Sequence, residues 1–395
     1  MICNDYGYGL TALESLLFVL KNPQGTTVLS SLIDEIKGKG DPLADAALSE
    51  YEQAGQQTRG LFEQAMQQGL SETSTLPQSF RRLLQDSEAA VSCVSASQFK
   101  QAMEPYSWVG PVWMSIALGP GSLIHTYSDP GIAAILMRTG RLLPQTVSRR
   151  LLETQLWQIS VIKSGGLEIG GSGYVQTLQV RLLHARIRAS LLQRGWKDPD
   201  GHQAVPIDQW QMLRTWLDFT VVPFEALGRI GMDLSSQQRQ QLYDAWRVLG
   251  HLLGIDDAIL AKVTDHAAAL DLLKSMDNRV SPPDDNSRLL TKAMLQSVGH
   301  RLAPVFGLPA ETSVLLMSSF CRLFHGDDRA DCLGVERNGT DALLSIMIDA
   351  NRFRFRRIQE DSDYRAVVQA QSLKAFDVIE RGFSDQTAYQ AISKQ

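Results

Sequence analysis

Helical periodicity runs through almost the whole chain, whereas the alternating apolar and polar pattern of β-strands is nearly absent. In Val147–Lys163, apolar residues such as Leu152 and Ile159 recur on one side of a helix. The stretch Gly165–Gly173 is too rich in glycine for a helix, and the helical period resumes over Thr177–Arg194. The pattern therefore predicts an all-α fold in which this loop joins two long helices.

Capping and breaking residues predict where other helices begin and end. Ser235 and Gln238 have the spacing of a capping box, and Gly254 is placed to close the helix that follows. Ser281–Asn286 has the composition of a linker, and helical patterning returns after it. Gly119–Gly121, which has a proline at its centre, predicts a turn.

Length and composition favour one helical body. The 395 residues would suffice for two average domains, but helical proteins of this size often form a single one. We predict a single helical domain with three parts: an N-terminal helical cap over residues 1–105, a core over 106–340, and C-terminal helices over 341–395 that pack on the core. The cap is predicted to be exposed, because Leu43–Leu84 is rich in Gln, Glu and Ala.

Charge and targeting signals exclude several classes of protein. The formal net charge is −5 with mixed signs, so we expect no nucleic-acid partner, and Arg352–Arg357 is more typical of a helix with one solvated face. No Lys or Arg precedes Lys21, and no apolar stretch approaches the length of a membrane span. We therefore expect a cytoplasmic, monomeric protein without a transmembrane segment.

One histidine is flanked by arginines at helical spacing. Arg181 and Arg188 lie about one turn before and after His184, on a helix whose apolar stripe indicates burial. Buried guanidinium groups need anions, and no acidic residue lies between Glu168 and Asp198. Haem would supply carboxylates and an iron atom that needs an axial imidazole. Two alternatives remain open: acidic partners from elsewhere in the fold, and a purely structural role for His184.

A second polar group lies on the preceding helix. Arg150, Glu153 and Thr154 share one face of it. One interpretation is an ion pair on a solvated face. The other is a distal lining, in which Arg150 or Thr154 steadies bound dioxygen and Glu153 moves a proton.

Together these motifs resemble the latex-clearing protein (rubber oxygenase) family, whose superfamily includes the MpaB-type oxygenases. The resemblance extends over about Trp108–Gly334. It depends on these segments: Arg150–Thr154, the glycine-rich loop, Arg181–Arg188, Trp196 with Val205–Gln209, Tyr243–Gly254 and Ala330–Gly334.

The resemblance implies a core of globin-like three-helix packing around haem b. It makes His184 the axial ligand of the iron, with Arg181 and Arg188 beside it and with Arg150 and Thr154 on the distal side. It also implies cleavage of isoprenoid C=C bonds by dioxygen. Glu153 departs from the family pattern, since family members have a distal lysine at that place.

From these observations we predict a haem b-dependent oxygenase that uses dioxygen on a small apolar, unsaturated substrate, either isoprenoid or lipid-like. His184, Arg181 and Arg188 would bind the cofactor, with His184 as the metal ligand. Arg150, Glu153 and Thr154 would be catalytic. Two other functions remain open: a non-catalytic haem-binding protein such as a gas sensor or carrier, and a cofactor-free lipid-binding module.

Overall fold

The computed structural model describes residues 34–70, 75–139 and 147–383, and every regular element in these ranges is a helix. The pairing of extended backbone in these residues is limited to an isolated bridge between Lys197 and Gln203. The predicted all-α fold is therefore confirmed. The ends of two predicted parts, residues 1–33 and 384–395, lie outside the described residues.

Residues 34–70 and 75–139 contain seven α-helices and one π-helical segment. They are α1 Pro42–Gln53, α2 Gln56–Gln68, α3 Gln78–Ser92, α4 Ala96–Val109, α5 Pro111–Ile116, the π-helical segment Ala117–Leu123, α6 Ile124–Tyr127 and α7 Pro130–Arg138.

The turn predicted at Gly119–Gly121 is wrong, because these residues lie inside the π-helical segment. Gly119 packs so closely against Val298 that an added Cβ atom would lie 2.8 Å from a methyl carbon of that valine. The close packing selects a small residue at this position, and the widened helix continues where local glycine and proline preferences alone would end it.

Residues 147–383 contain eleven further helices. They are α8 Val147–Ile162, α9 Ser172–Gln193, α10 Gln209–Arg229, α11 Ser236–Leu252, α12 Asp257–Leu260, α13 His266–Asp277, α14 Asp285–Phe306, α15 Ala310–His325, α16 Asp327–Cys332, α17 Asp341–Glu360 and α18 Ser362–Phe383.

Helix boundaries in this half mostly follow the sequence signals. The capping box of Ser235 and Gln238 is present, with both reciprocal hydrogen bonds. Helix α9 begins at Ser172, five residues earlier than its apolar period indicates, because Gly171 acts as the N-cap and Gly173 fits in the first turn. Gly173 has room for no side chain: an added Cβ atom would lie 2.7 Å from the carbonyl oxygen of Ser160.

The main hydrophobic core of the described residues extends from Ile36 to Phe376, and two small buried clusters are separate from it. The N-terminal helices take part in it: Phe62 and Phe80 are fully buried, and their rings stack with centroids 4.1 Å apart. The expectation that these helices are merely exposed is therefore wrong. Their Gln and Glu residues occupy the outer faces, while the aromatic residues point inward. The division into three parts and the globin-like packing stay predictions.

None of the helices in the described ranges is by itself both long and apolar enough to cross a membrane. Helices α14 and α15 pass this test only as a pair, and that pair is bent by 115°.

Gly254 closes α11 at a point where two other elements meet. Its φ is +90°, and an added Cβ atom would lie 2.0 Å from Oδ2 of Asp41 and 2.8 Å from Nε of Arg181. We expect Gly254→Ala to lower the free energy of unfolding by about 2–4 kcal/mol, since backbone strain and overpacking add. Denaturant titration measures this change.

Gly195 provides the matched control, because its φ is also positive, at +70°, and no atom lies within 4 Å of an added Cβ atom. Gly195→Ala should cost only the backbone term, about 1–2 kcal/mol. Equal losses in the two variants would show that the contact with Asp41 and Arg181 is unimportant.

Candidate functional site

A cavity of about 230 Å³ lies between helices α7, α8, α9 and α10, and we call it the apolar cavity. Most of its walls are apolar or aromatic, with a few polar side chains among them, as is typical of a site for a small molecule. The apolar lining includes Ile135, Leu151, Trp157, Leu183, Ile187, Met212, Phe219 and Trp246. The polar lining consists of Thr126, Tyr127, Thr139, Arg150, Thr154, His184, Gln211 and Thr215.

His184 lines this cavity from α9. Its Nδ1 atom is buried and has no hydrogen-bond partner in the described part of the chain. Burial, and then the positive charges of Arg188 and Arg150, lower the pKa of His184 to about 4. The imidazole is therefore neutral at pH 7, which is the form that binds a metal ion.

Arg150 and Thr154 line the same cavity from α8. Arg150 Nη1 donates a hydrogen bond to Glu153 Oε2 at 2.8 Å, and Thr154 Oγ1 donates to the carbonyl oxygen of Arg150 at 3.0 Å. The fold therefore brings these two predicted distal residues to the same apolar space as His184, a position that the family resemblance implied.

Glu153 lies outside the lining of the cavity, contrary to the predicted distal position. Its carboxylate is buried between Arg149 and Arg150, with nitrogen–oxygen distances of 3.1 and 2.8 Å. The geometry favours the ion-pair interpretation of this residue. The Glu153 carboxylate is buried, however, whereas that interpretation expected a solvated face. In this position the carboxylate orients Arg150 at the cavity wall.

Arg181 and Arg188 do not line the cavity either, because both point toward α1. Arg181 makes two hydrogen bonds to Asp41, at 2.6 and 3.0 Å, and lies 3.5 Å from a carboxylate oxygen of Asp86. Arg188 binds Asp45 through Nε and Nη2, at 3.0 and 2.9 Å. The protein itself supplies the anions, which corrects the inference that a ligand does so.

These ion pairs determine where the histidine helix lies. Both guanidinium groups are buried, and they attach α9 to α1 on either side of His184 along the helix. A buried pair of this kind stabilises little relative to apolar packing but requires a defined geometry. Arg181 and Arg188 are therefore positioning residues for His184, and Asp41 and Asp45 complete that function.

Sequence reasoning missed Ile207 and Gln211, which also line the cavity. Ile207 has a φ of +54°, which is unusual for a β-branched residue. Its carbonyl oxygen accepts a hydrogen bond from Arg188 Nη1 at 2.5 Å, and its backbone N–H donates to Gln211 Oε1 at 2.6 Å. Arg188 thus connects the histidine helix to a strained part of the cavity wall, and no local pattern in the sequence marks this connection.

The ion-pair network continues to His251 at the end of α11. His251 Nε2 lies 3.1 Å from Asp86 and Nδ1 lies 2.8 Å from Asp257, while its carbonyl oxygen accepts from Arg181. The hydrogen bond to Asp86, together with that to Asp257, raises the pKa of His251 from 6.5 to about 9 despite the effect of burial. Protonated His251 therefore favours the folded state.

This raised pKa predicts a pH dependence of stability. The contribution of His251 to the free energy of unfolding is complete below pH 6.5, the ordinary pKa of histidine, and is lost as the pH rises through about 9. We expect this residue to account for at most about 3 kcal/mol of the free energy of unfolding. Denaturant titrations at pH 6 and pH 9.5 measure the loss. The variant His251→Gln should show a smaller loss over that interval, and an identical one would contradict the assignment.

Comparisons with known proteins agree with this architecture. Residues 107–357 match the family described as "ER-bound oxygenase mpaB/B'/Rubber oxygenase, catalytic domain". This match covers more than half of the chain, which therefore belongs to this oxygenase family. The resemblance found in the sequence is confirmed.

Two similar proteins refine the comparison. The rubber oxygenase of Streptomyces sp. (strain K30) is 24% identical over 168 residues, which are 42% of this chain and 39% of that protein. A solved structure of latex clearing protein LCP in the closed state has a TM-score of 0.65 at 17% identity, and the match covers 86% of this chain and 90% of that one. At this identity the structural match shows a shared fold. The sequence match spans about two-fifths of the curated relative's length.

Asp41, Asp45 and Asp86 lie outside the residues that match the family, whereas the arginines that they bind lie inside them. The arginines lie within residues 107–357, whereas all three aspartates precede them. The N-terminal helices thus complete the support of the histidine helix from outside the matched catalytic domain.

Proposed function

We propose that this protein is a haem b-dependent oxygenase that uses dioxygen on an apolar, unsaturated substrate, either isoprenoid or lipid-like. One observation carries the proposal: a neutral histidine without a hydrogen-bond partner at Nδ1 lines an apolar cavity together with Arg150 and Thr154. Membership of an oxygenase family supports it.

The residues of the cavity fit a haem group by their chemistry. A neutral imidazole is the commonest axial ligand of haem iron, and apolar walls suit the macrocycle. The volume of about 230 Å³ lies below the range of roughly 300–1,000 Å³ usual for ligand sites. Side chains at the cavity wall would therefore also have to move when haem binds.

When bound, haem would supply the activation of dioxygen. The protein would supply the surroundings. His184 would hold the iron from α9, and Arg150 and Tyr127 would provide hydrogen-bond donors. Thr154 would join them when its hydroxyl group turns away from the carbonyl oxygen of Arg150. Burial raises the pKa of Tyr127 above its ordinary value, so its phenol keeps its proton.

The apolar walls would bind the hydrocarbon part of the substrate and exclude water from the reacting atoms. Cleavage of one C=C bond by one dioxygen molecule gives two carbonyl groups. Both oxygen atoms are consumed and no reductant is needed. This balance makes oxidative cleavage the reaction that we propose for this site.

The visible spectrum and the uptake of dioxygen test the proposal. We expect purified protein supplied with haem to show a Soret band, and to consume dioxygen when an unsaturated isoprenoid is added. Mass spectrometry should detect carbonyl products. A well-folded protein that stays colourless would refute haem dependence and favour a cofactor-free lipid-binding module. Bound haem without uptake on any unsaturated lipid would favour a sensor or carrier.

Arg150 and Arg149 offer a matched pair for testing the distal side. Both bind Glu153, but only Arg150 lines the cavity, and the side chain of Arg149 is 64% exposed. We expect Arg150→Met to lower kcat roughly 10–100-fold with the Soret band retained, because a donor at the reacting centre is lost. Arg149→Met should retain nearly full activity. Similar losses in both variants would indicate that the ion pair, and not the position at the cavity, matters.

A further inference from the structure

A second cavity, of about 370 Å³, lies on another side of α10, and we call it the polar cavity. Its lining includes Arg214 of α10, Asp277 at the end of α13, and His325 and Arg329 of α15 and α16. Thr215, the residue after Arg214 on α10, lines the apolar cavity instead. Helix α10 therefore has one face on each cavity.

An unbroken series of hydrogen bonds connects the two cavities. Asp277 Oδ2 lies 3.2 Å from His125 Nε2, and His125 Nδ1 lies 2.7 Å from Asp218 Oδ1. Thr126 Oγ1 lies 2.8 Å from Asp218 Oδ2, and when Asp218 carries a proton it donates to that hydroxyl oxygen. Asp277 lines the polar cavity and Thr126 lines the apolar cavity. The two groups between them, His125 and Asp218, are 4% and 0% exposed, so no solvent interrupts the series.

The proton content of this series follows from its geometry. A neutral imidazole has one N–H group and could donate to only one of its two carboxylate neighbours. With Asp218 and Asp277 each facing a ring nitrogen of His125, a second proton must lie either on the imidazole or on a carboxyl group. The series therefore holds a proton that can be displaced along it.

Charged groups around Asp277 keep its end of the series ionised. Arg214 Nη1 binds Asp277 Oδ1 at 2.7 Å, and Arg329 Nη2 binds Oδ2 at 2.9 Å. Burial opposes ionisation, but His125, Arg329 and Arg214 together hold the pKa of Asp277 well below its ordinary value. Asp277 can therefore accept a hydrogen bond from water in the polar cavity as well as from the imidazole.

Two other titratable groups, His325 and Asp129, lie next to this series of hydrogen bonds but are not part of it. His325 stacks on His125 with ring centroids 5.9 Å apart, and burial lowers its pKa well below the ordinary value, so it is neutral. Asp129 lies 3.4 Å from Nε of Arg214, and burial raises the pKa of Asp129.

We propose that Asp277, His125, Asp218 and Thr126 form a proton path between solvent in the polar cavity and the apolar cavity. A proton enters at His125 Nε2 beside Asp277, and the proton on Nδ1 passes to Asp218. Asp218 passes it to Thr126 Oγ1, which releases its own hydroxyl proton to an acceptor in the apolar cavity. Only protons move, and no electron donor is needed. The use of this proton in catalysis rests on the proposed function.

Thr126 is the residue at which the path can be cut with least disturbance. Its hydroxyl group otherwise donates to the carbonyl oxygen of Ser122, one turn earlier in the π-helical segment, at 3.1 Å. Thr126→Val has nearly the same shape but no hydroxyl group, and Thr126→Ser keeps the hydroxyl. The pair therefore separates the proton path from the packing of the cavity wall.

Ligand binding to the haem-loaded protein is the first readout. Cyanide arrives at pH 7 as hydrogen cyanide and loses its proton on binding, whereas imidazole binds as a neutral molecule. We expect Thr126→Val to slow cyanide binding at least about tenfold in stopped flow and to leave imidazole binding within about twofold. Thr126→Ser should restore the cyanide rate. An unchanged cyanide rate, or equal slowing of both ligands, overturns the path.

A second experiment uses the haem-free protein, so the proton path can be tested even if the protein does not bind haem. Nitrogen-15 NMR of labelled histidine should show a His125 ring proton that exchanges with water within minutes. Asp277→Asn should slow this exchange at least about tenfold, because water then loses its contact with the ionised end of the series. Ring protons of His125 that resist exchange for days in the native protein refute the path, whether or not haem binds.

Discussion

The variant His184→Ala is expected to lose the Soret band at haem concentrations that saturate the native protein. Removal of a residue that only supports a metal ligand typically costs about 10–100-fold in affinity, so loss of the ligand itself should cost more than about 100-fold. His184 lines the apolar cavity with an Nδ1 atom that no described residue binds. A haem titration followed by absorbance measures the affinity, and dioxygen uptake should be lost with it.

Two further variants make this result specific. His300→Ala changes a histidine that is 54% exposed and lies outside the cavity, so its Soret band should match that of the native protein. The smaller His184→Gly leaves space at the cavity wall, and added imidazole should restore part of the absorbance. An unchanged affinity in His184→Ala would assign the ligand to another residue, and the proposed site would then be wrong.

Arg181→Met is expected to lower the free energy of unfolding by about 3–5 kcal/mol. Its guanidinium group is 4% exposed and binds both carboxylate oxygens of Asp41, which is 9% exposed. Without the arginine, the Asp41 charge stays buried without its main cation, and this uncompensated charge dominates the loss. Denaturant titration at pH 7 measures it. Because α9 also carries His184, we expect haem affinity to fall roughly 10–100-fold.

Matched variants distinguish this buried pair from an ordinary surface pair. Arg352 and its partner Asp349 are 61% and 75% exposed, so Arg352→Met should change stability by less than about 1 kcal/mol. The double variant Asp41→Asn with Arg181→Met removes the buried charge and keeps a side chain that can cap α1. It should recover more than half of the loss. A loss below about 1 kcal/mol in Arg181→Met alone would show that Asp41 is not the essential partner.

Local patterns were sufficient for most helices and for part of the site. Period, caps and breakers act over three or four residues, so Ser235 with Gln238 and the loop between α8 and α9 could be predicted directly. His184 and the pair of Arg150 and Thr154 were found for the same reason, since each group lies on one helix. Their roles in haem chemistry stay predictions that the experiments above test.

Packing overruled the local patterns at two places. Gly119 lies in a π-helical segment and packs closely against Val298, where glycine and proline alone predict a turn. The N-terminal helices are buried through Phe62 and Phe80, although the Gln-rich composition suggested exposure. In the first case the contact comes from α14, far along the chain; in the second, aromatic residues of two helices of the same stretch stack on each other, which average composition does not show.

The sequence by itself determined the helical class, most helix ends and the helix faces that carry His184, Arg150 and Thr154, because these follow from neighbours within one or two turns. Only the tertiary structure decided which groups neutralise the buried charges. Asp41 lies 140 residues from Arg181, and His125 lies 93 residues from Asp218 and 152 from Asp277. Burial requires that each charge finds a partner, but it does not specify from which part of the chain that partner comes. The packing of α1 on α9 and of α6 against α10 and α13 makes that choice.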